Sequence, residues 1–391
     1  MSEIKVNSIK GVGASTAAIT VNNTDGTCTA NITNNLSNRN LIINGAMQVA
    51  QRGTSSTTTG YQTVDRFACN FDNISNSPTQ AQVDVASGTG PYNSGFRKAF
   101  KITNGDQTIG ADDRLRIQHI LEAQDVANSG WNYTSTSSYI TLSFWVKSSV
   151  AQNFFVRLQA TDGTSQNYVV ETGSLSADTW TKITKTIPGN SNLQFDNNND
   201  SGLVIDFGPF YGTNFTGTRP LNAWAAYDGA ARFPDFPTTW FDTNNATFEI
   251  TGVQLEVDHT GSGVATDFEH RSFGQELALC QRYYYLMAPK TAEAAVSETI
   301  NFDTQDQCFI RFPVEMRATP SLEVSNFSNA FRVYGSGGGR NVSTVTSNTG
   351  SNSTKLMHIT VSGGSSGDLA FLRIYAANSG VYATLAATAE L

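Results

Sequence analysis

Residues Tyr139 to Lys147 read YITLSFWVK. Along an extended chain, successive side chains point to opposite faces. Ile140, Leu142, Phe144 and Val146 therefore share one face, and Thr141, Ser143, Trp145 and Lys147 share the other. A strict apolar/polar alternation of this kind is the signature of a half-buried strand. The same period recurs on both sides of this stretch. Phe154–Ala160 places Phe154, Val156 and Leu158 together, Asp162-Gly163 supplies a turn, and Tyr168–Glu171 returns. Trp180–Ile187 (WTKITKTI), Leu203–Phe207 and Thr247–Val257 complete the set. Short strands punctuated by Gly, Asn, Asp and Ser at roughly ten-residue spacing predict an all-β sandwich.

Composition agrees with that reading. The chain has 391 residues, enough for two or three domains at ~150 residues each. Charged residues make up 15%, against ~25% in an average soluble protein. Ser, Thr and Asn take their place, and their side chains compete with helical backbone hydrogen bonds, which argues against a bundle or coiled coil. The net charge is −8, and the 25 Lys and Arg never run more than two together. A nucleic-acid groove needs clustered cations, so neither nucleic acid nor an anionic membrane surface is an expected partner. No apolar run reaches the ~18 residues of a membrane span, and MSEIKVNSIK lacks the apolar core of a secretory signal. Cys28, Cys69, Cys280 and Cys308 form no C-x-x-C pair. They read as free, mostly buried thiols made in a reducing cytoplasm.

The chain divides into four parts. Residues 1–39 carry Ile4, Val6, Ile9 and a hairpin signal at Asp25-Gly26, but too few large apolar groups for a core of their own. They read as an attachment arm ordered against a partner or other copies. Residues 40–270 are the sandwich. Within them, 191–202 and 208–245 read as long loops, of a length that usually carries function. FGQELALCQRYYYL (273–286) has helical spacing, with Leu277, Cys280 and Tyr284 on one face, and 271–289 is the expected linking helix. Residues 290–391 form a C-terminal β domain, with turns at Pro313, Pro320 and 335–340 and strands at Phe371–Tyr375 and Tyr382–Leu385.

Several pieces, in order, resemble a module of bacteriophage tail fibres and other virion appendages. They are LIINGAMQVAQRG (41–53), VDRF (64–67), YITLSFWVK, ADTWTKITKTIPG (177–189) and FEITGVQLEVD (248–258). The most specific is ATDFEHRSFGQELALCQRYYY (265–285), followed by FPVEMRATPSLEV (312–324) and the closing ATAEL (387–391). The resemblance implies a jelly-roll sandwich of the galactose-binding, carbohydrate-binding-module type in a homotrimeric fibre. It implies an arm docked to other virion proteins and a distal C-terminal domain. It also implies a structural calcium near the carbonyls around Asn44 and the side chain of Glu256. The location it implies is the virion, after synthesis in the host cytoplasm.

No residue pattern announces catalysis. His119, His259, His270 and His358 lie outside any H-E-x-x-H or G-x-S-x-G context. His119 shares a strand face with Leu115, Ile117 and Leu121 and reads as a packed residue; His270 reads as a capping or interface residue. A glycosidase needs two carboxyls ~5–9.5 Å apart, and Asp112-Asp113, Asp196 with Asp200, and Asp235 with Asp242 are candidates that read more simply as turns. FDNNND (195–200) loosely resembles a calcium loop but lacks its Gly and distal Glu. Sugar binding fits the loop 208–245 better, because aromatic faces stack on sugar rings beside aimed polar groups. Tyr211, Trp224, Tyr227, Asp228 and Trp240 are the candidate glycan-binding residues. The competing reading caps the sandwich or a trimer interface with them. Trp131 and Tyr133 share that status, while Trp145 and Trp180 read as structural. The expected function is non-enzymatic attachment of a tail fibre to host cell-surface polysaccharide, strengthened by several copies. The alternatives are a purely structural head, neck or tail-tip component and a polysaccharide-degrading spike.

Overall fold

The computed structural model describes residues 6–10, 12, 19–21, 24, 28–30, 38–258, 261–287, 300–302, 306–325, 331–335, 338–341, 344–347, 356–362, 371–374 and 384–391. The expected turn at Asp25-Gly26, residues 336–337 of the Gly-rich turn and His259 lie outside them. In the arm, β1 (Ser8–Ile9), β2 (Ile19–Val21) and β3 (Cys28–Ala30) form a three-stranded sheet.

The body contains β4 (Ser55–Ser56), β5 (Ala68–Asp72), β6 (Thr79–Asp84), β7 (Lys98–Thr103), β8 (Arg114–Glu122) and β9 (Tyr139–Ser148). It continues with β10 (Asn153–Ala160), β11 (Gln166–Ser174), β12 (Thr181–Pro188), β13 (Ser201–Tyr211), β14 (Trp224–Ala226) and β15 (Thr247–Asp258). One six-stranded sheet runs β14-β11-β10-β13-β8-β5 and the other β12-β9-β15-β7-β6-β4. Neighbouring strands pair antiparallel. The predicted apolar faces meet between the sheets. Phe144 on β9 meets Phe207 on β13 edge-on at 5.0 Å, and Phe154 on β10 meets Phe248 on β15 at 4.9 Å. All four rings are almost fully buried, each worth about 1.5–3 kcal/mol relative to exposure.

The outer face of β15 is polar yet buried, because the chain returns across it. Gln254 Oε1 accepts from the Glu269 backbone N–H at 2.8 Å, and Glu256 accepts from that of Thr266 at 2.9 Å. His270 fastens the same segment: its Nε2 lies 3.0 Å from Ser94 O and its ring packs on Phe96 and Phe268. Trp145 and Trp180 pack on a satellite cluster around Phe96.

Helices are few: α1 (Gly90–Asn93), α2 (Ala123–Ala127), α3 (Thr239–Asp242) and α4 (Phe273–Gln281). The linking helix starts where expected, behind a capping box formed by Ser272 and Gln275. It ends five residues earlier than its apolar spacing suggests. Aromatic residues lose side-chain freedom in helices and favour strands, and the tyrosine run becomes β16 (Tyr284–Leu286).

Beyond it lie β17 (Ile300–Phe302), β18 (Asp306–Arg311), β19 (Ser321–Ser325), β20 (Phe331–Gly335) and β21 (Gly338–Asn341). β22 (Thr344–Ser347), β23 (Leu356–Ser362), β24 (Phe371–Ile374) and β25 (Thr384–Thr388) follow. β25 pairs with both β16 and β19. The body grips this end of the chain: Glu122 accepts from Arg282 at 2.7 and 2.8 Å and from the Tyr283 hydroxyl at 2.6 Å. Burial pushes the Glu122 carboxyl up, but the Arg282 and Tyr283 hydrogen bonds outweigh it and hold it below its usual value. Cys69 and Cys280 are free and buried; the thiols of Cys28 and Cys308 lie outside the described side chains.

Candidate functional site on the outer face of the first sheet

Because Phe154, Val156 and Leu158 point into the core, the period of two turns Arg157 outward. Arg157 stands opposite Asp206 on β13, and Asp206 opposite Gln118 on β8. Asn70 Nδ2 donates to Gln118 Oε1 at 3.1 Å, and Gln118 Nε2 donates to Asp206 Oδ1 at 2.8 Å. Arg157 Nη2 closes on Asp206 Oδ2. The result is a hydrogen-bonded row across four strands that runs from the half-buried β5 side to a buried ion pair on β10.

Residues 212–238 fold over the buried end. Gly217 N–H donates to Phe233 O at 3.0 Å and Arg232 N–H to Phe215 O at 2.8 Å, which holds this flap in a double-backed shape. The Arg157 guanidinium lies 5.5 Å from the Phe233 ring and 6.0 Å from the Tyr227 ring. Phe215 sits between two more guanidiniums, Arg114 at 4.4 Å and Arg232 at 4.8 Å.

Beneath the flap, Arg157 Nε and Nη1, both side-chain polar atoms of Asn167 and the Tyr211 hydroxyl are buried without hydrogen-bond partners. Asn167 is diagonal to Arg157 on the same face, since Gln159 pairs with Asn167 and Arg157 with Val169. Buried polar atoms in such a state cost free energy unless something satisfies them. Burial, reinforced by Asp206 and opposed by the guanidiniums of Arg157 and Arg116, pushes the Tyr211 hydroxyl up to about 12. Arg219 is held below its usual value by burial and by repulsion from Arg157, against the attraction of Asp228.

The five expected sugar-binding residues divide. Tyr227 is 38% exposed, and Asp228 is exposed with Oδ1 accepting from Ala230 N–H at 2.9 Å. Trp224 is half-buried at the sheet edge, 5.2 Å from Tyr168, with Nε1 donating to Pro188 O at 2.7 Å. Tyr211 and Trp240 are corrections as ring platforms. Trp240 is fully buried on α3 against Phe154 and Phe248. Its Nε1 donates to Thr247 O at 2.9 Å, so an indole whose only donor is satisfied fills the end of the core. Tyr211 is 2% exposed between Phe233 and Phe236; only its hydroxyl bears on the site. The segment 208–245 is also not one loop. Residues 208–211 finish β13, and β14 and α3 interrupt the rest. Trp131 and Tyr133 pack with Phe195 on the core.

The donors expected for calcium are already engaged. The Asn44 carbonyl accepts from Met47 N–H at 2.8 Å and the Gly45 carbonyl from Val253 N–H at 2.9 Å, while the Asn44 side chain bonds Val49 and Asp65. Glu256 lies 3.4 Å from the Arg39 guanidinium and accepts from Thr266. The Arg39 guanidinium supplies a positive charge beside Glu256. In 195–200, Asn198 Oδ1 accepts from Asp200 N–H at 3.0 Å, Asn199 donates to Arg317 O, and Arg317 Nη1 donates to Asn199 O at 2.7 Å. That loop fastens the C-terminal region. Among the described residues, no group of three or more His, Cys, Asp or Glu is placed to hold a metal, and no helix is long and apolar enough to cross a membrane.

Of the acidic pairs, Asp113 accepts from Gly110 N–H at 2.7 Å, Asp112 from Asn214 at 2.7 Å, and Asp235 from Thr216 at 2.6 Å. A cleft of about 900 Å³ lies between Arg39, Glu269, His270, Leu279, Arg282 and Glu315. Its guanidiniums are committed within the fold, Arg39 to Glu256 and Arg282 to Glu122. Its polarity serves the join between arm, helix and C-terminal region.

No protein-family model matches the chain, and no curated protein does. Solved structures match over about half of the chain. The enzymatically active domain of the bacteriophage CBA120 tailspike protein 4 is 8% identical with a TM-score of 0.30, over 56% of this chain and 21% of that one. The match thus spans about a fifth of the tailspike chain. A putative sugar-binding protein from Bacteroides thetaiotaomicron is 12% identical with a TM-score of 0.28, over 56% of this chain and all of that one. The N-terminal cellulose-binding domain of a Cellulomonas fimi β-1,4-glucanase is 9% identical with a TM-score of 0.26, over 54% and 98%.

Proposed function

We propose that this chain is a non-enzymatic component of a virion fibre that attaches the particle to glycan on the host surface. In this reading a jelly-roll body assembles as a homotrimer, the arm docks to other virion proteins, and the outer face of the β14–β5 sheet receives the sugar. The observation that carries the glycan part is the set of buried polar atoms of Arg157, Asn167 and Tyr211, left without partners beneath a flap that displays Tyr227. Sugar sites combine such aimed polar groups with an aromatic platform. The virion part rests on the ordered motifs from LIINGAMQVAQRG to ATAEL. A binding role is favoured over hydrolysis because Asp112, Asp113 and Asp235 are occupied in holding loops.

The test is a glycan array probed with the purified chain and with Tyr227→Ala. The intact protein should retain a defined subset of glycans, and the variant should lose them while melting at the same temperature. Retention of no glycan by the intact chain leaves only a scaffold role. Sedimentation should give three times the chain mass, and labelled antibody should decorate the fibres of intact particles.

A further inference from the structure

Resting on that glycan reading, we infer that the sugar chain received by this face is acidic and carries carboxylate groups that seat against Arg157 and Arg232. The protein as a whole has a net charge of −8, yet cations gather here. Arg116, Arg157 and Arg232 all act on the Tyr211 hydroxyl, and Arg219 feels the charge of Arg157. Asp206 is matched by Arg157, and Asp72 is shared by Arg114 and Arg116 at 3.2 Å each. Among the described residues, Arg219 and Arg232 form no ion pair within 4 Å; Arg219 Nη2 donates to Ala225 O and Ala226 O, and Arg232 Nε donates to Gly229 O at 3.1 Å. Partly buried like charges repel, here with only the exposed Asp228 carboxylate set against Arg219, and a bound anion reduces that cost.

The unpartnered atoms point the same way. Arg157 Nε and Nη1 and Asn167 Nδ2 can only donate, the Tyr211 hydroxyl can do either, and Asn167 Oδ1 alone is purely an acceptor. A neutral sugar hydroxyl offers both roles and suits a balanced site. A carboxylate offers only acceptors and suits this one. Arg232 also lies over Phe215 and Tyr227 at 4.8 and 5.9 Å, a planar cation beside an exposed ring at the mouth of the site. Tyr227, exposed and 6.0 Å from the Arg157 guanidinium, is the ring on which the sugar rests.

The experiment measures binding of the full chain to polygalacturonate, polysialic acid and hyaluronan, to carboxyl-reduced forms of each, and to neutral xylan and laminarin oligosaccharides. At least one carboxylated polymer should bind. Its affinity should fall about ten-fold or more on carboxyl reduction, and again when salt is raised from about 50 to 300 mM. Arg232→Gln should reproduce the loss with an unchanged melting curve. Arg157→Gln removes a buried partner of Asp206, so its binding is read only beside its circular dichroism, and Arg232→Gln decides if it misfolds. A neutral or carboxyl-reduced glycan bound as tightly, with flat salt dependence, overturns the inference and leaves the glycan reading standing. Binding to none of the panel, together with an empty glycan array, overturns both.

Discussion

Arg66 clamps Glu390: its Nη1 donates to Glu390 Oε2, and its guanidinium lies 3.4 Å over the Tyr283 ring. Arg52 takes the other carboxylate oxygen at 3.2 Å and lies 3.5 Å over Tyr284. Arg66 is 1% exposed and holds the left-handed backbone conformation, with φ 69°. Burial disfavours its charge, but Glu390 more than restores it. The carboxylate thus ties the segment after β25 to the body. Glu390→Gln leaves two guanidiniums short of their counter-charge, and removing one partner of a buried pair costs about 3–5 kcal/mol. Urea unfolding should show that loss, and limited proteolysis should cut earlier around residues 384–391. An unchanged urea midpoint would show the clamp to be idle.

Acid should act on this same region through two groups of opposite sign. His119 is buried, with Nδ1 donating to Arg66 O at 3.0 Å. Burial and the nearby Arg66 charge hold it well below the ordinary 6.5. The unfolded chain takes up a proton that the folded one refuses, so stability is lost as pH falls below about 6.5, by up to about 1.4 kcal/mol per pH unit. Asp65 behaves in reverse. Burial, against hydrogen bonds from Gln51, pushes its carboxyl up to about 6. The folded state therefore keeps a proton that the unfolded state releases near 3.9, and this contribution grows as pH falls from 6 towards 4. Melting curves of the wild type and His119→Gln between about pH 7.5 and 4.5 separate the two. The variant should gain on the wild type with acidification; parallel curves would remove His119 from the account.

Gly45, inside the motif LIINGAMQVAQRG, is set by backbone contact. A Cβ there would lie 2.0 Å from Val253 O, while Val253 N–H donates to Gly45 O at 2.9 Å. This contact falls at the β15 bulge between Thr251 and Gln254. Backbone yields less than a flexible side chain, so Gly45→Ala should cost about 1–3 kcal/mol or more, as overpacking does. A urea midpoint within error of the wild type would mean that β15 can shift freely.

What was legible in the sequence follows from how far each signal reaches. Alternation in YITLSFWVK, Phe154–Ala160 and WTKITKTI names core faces because the period of two is local, and those faces do meet between the sheets. The tyrosine run read as helix because its spacing suits one; the pairing partner that makes it a strand lies about a hundred residues away at Thr384–Thr388. Arg157 went unmarked because a cation facing away from a core is unremarkable until register sets it beside Asp206 and a distant segment buries both. Glu256 reads as a free oxygen donor for the same reason: Arg39 reaches it only through the fold. Trp240 and Tyr227 are indistinguishable as aromatic residues of one polar stretch; only burial separates them.

That separation makes the last prediction. Trp240 is fully buried, with Nε1 satisfied by Thr247 O and its backbone N–H by Gln152 Oε1 at 2.9 Å. Trp240→Ala opens a cavity beside Phe154 and Phe248, and such truncations cost about 3–5 kcal/mol. Tyr227 is 38% exposed, and surface substitutions away from special features stay within about 0.5 kcal/mol. Trp240→Ala should therefore lower the melting temperature with glycan affinity retained in whatever fraction stays folded. Tyr227→Ala should lower affinity at an unchanged melting temperature. If the Tyr227 variant melts early with binding intact, its ring belongs to the packing of the flap, and the sugar platform must be sought elsewhere on the sheet.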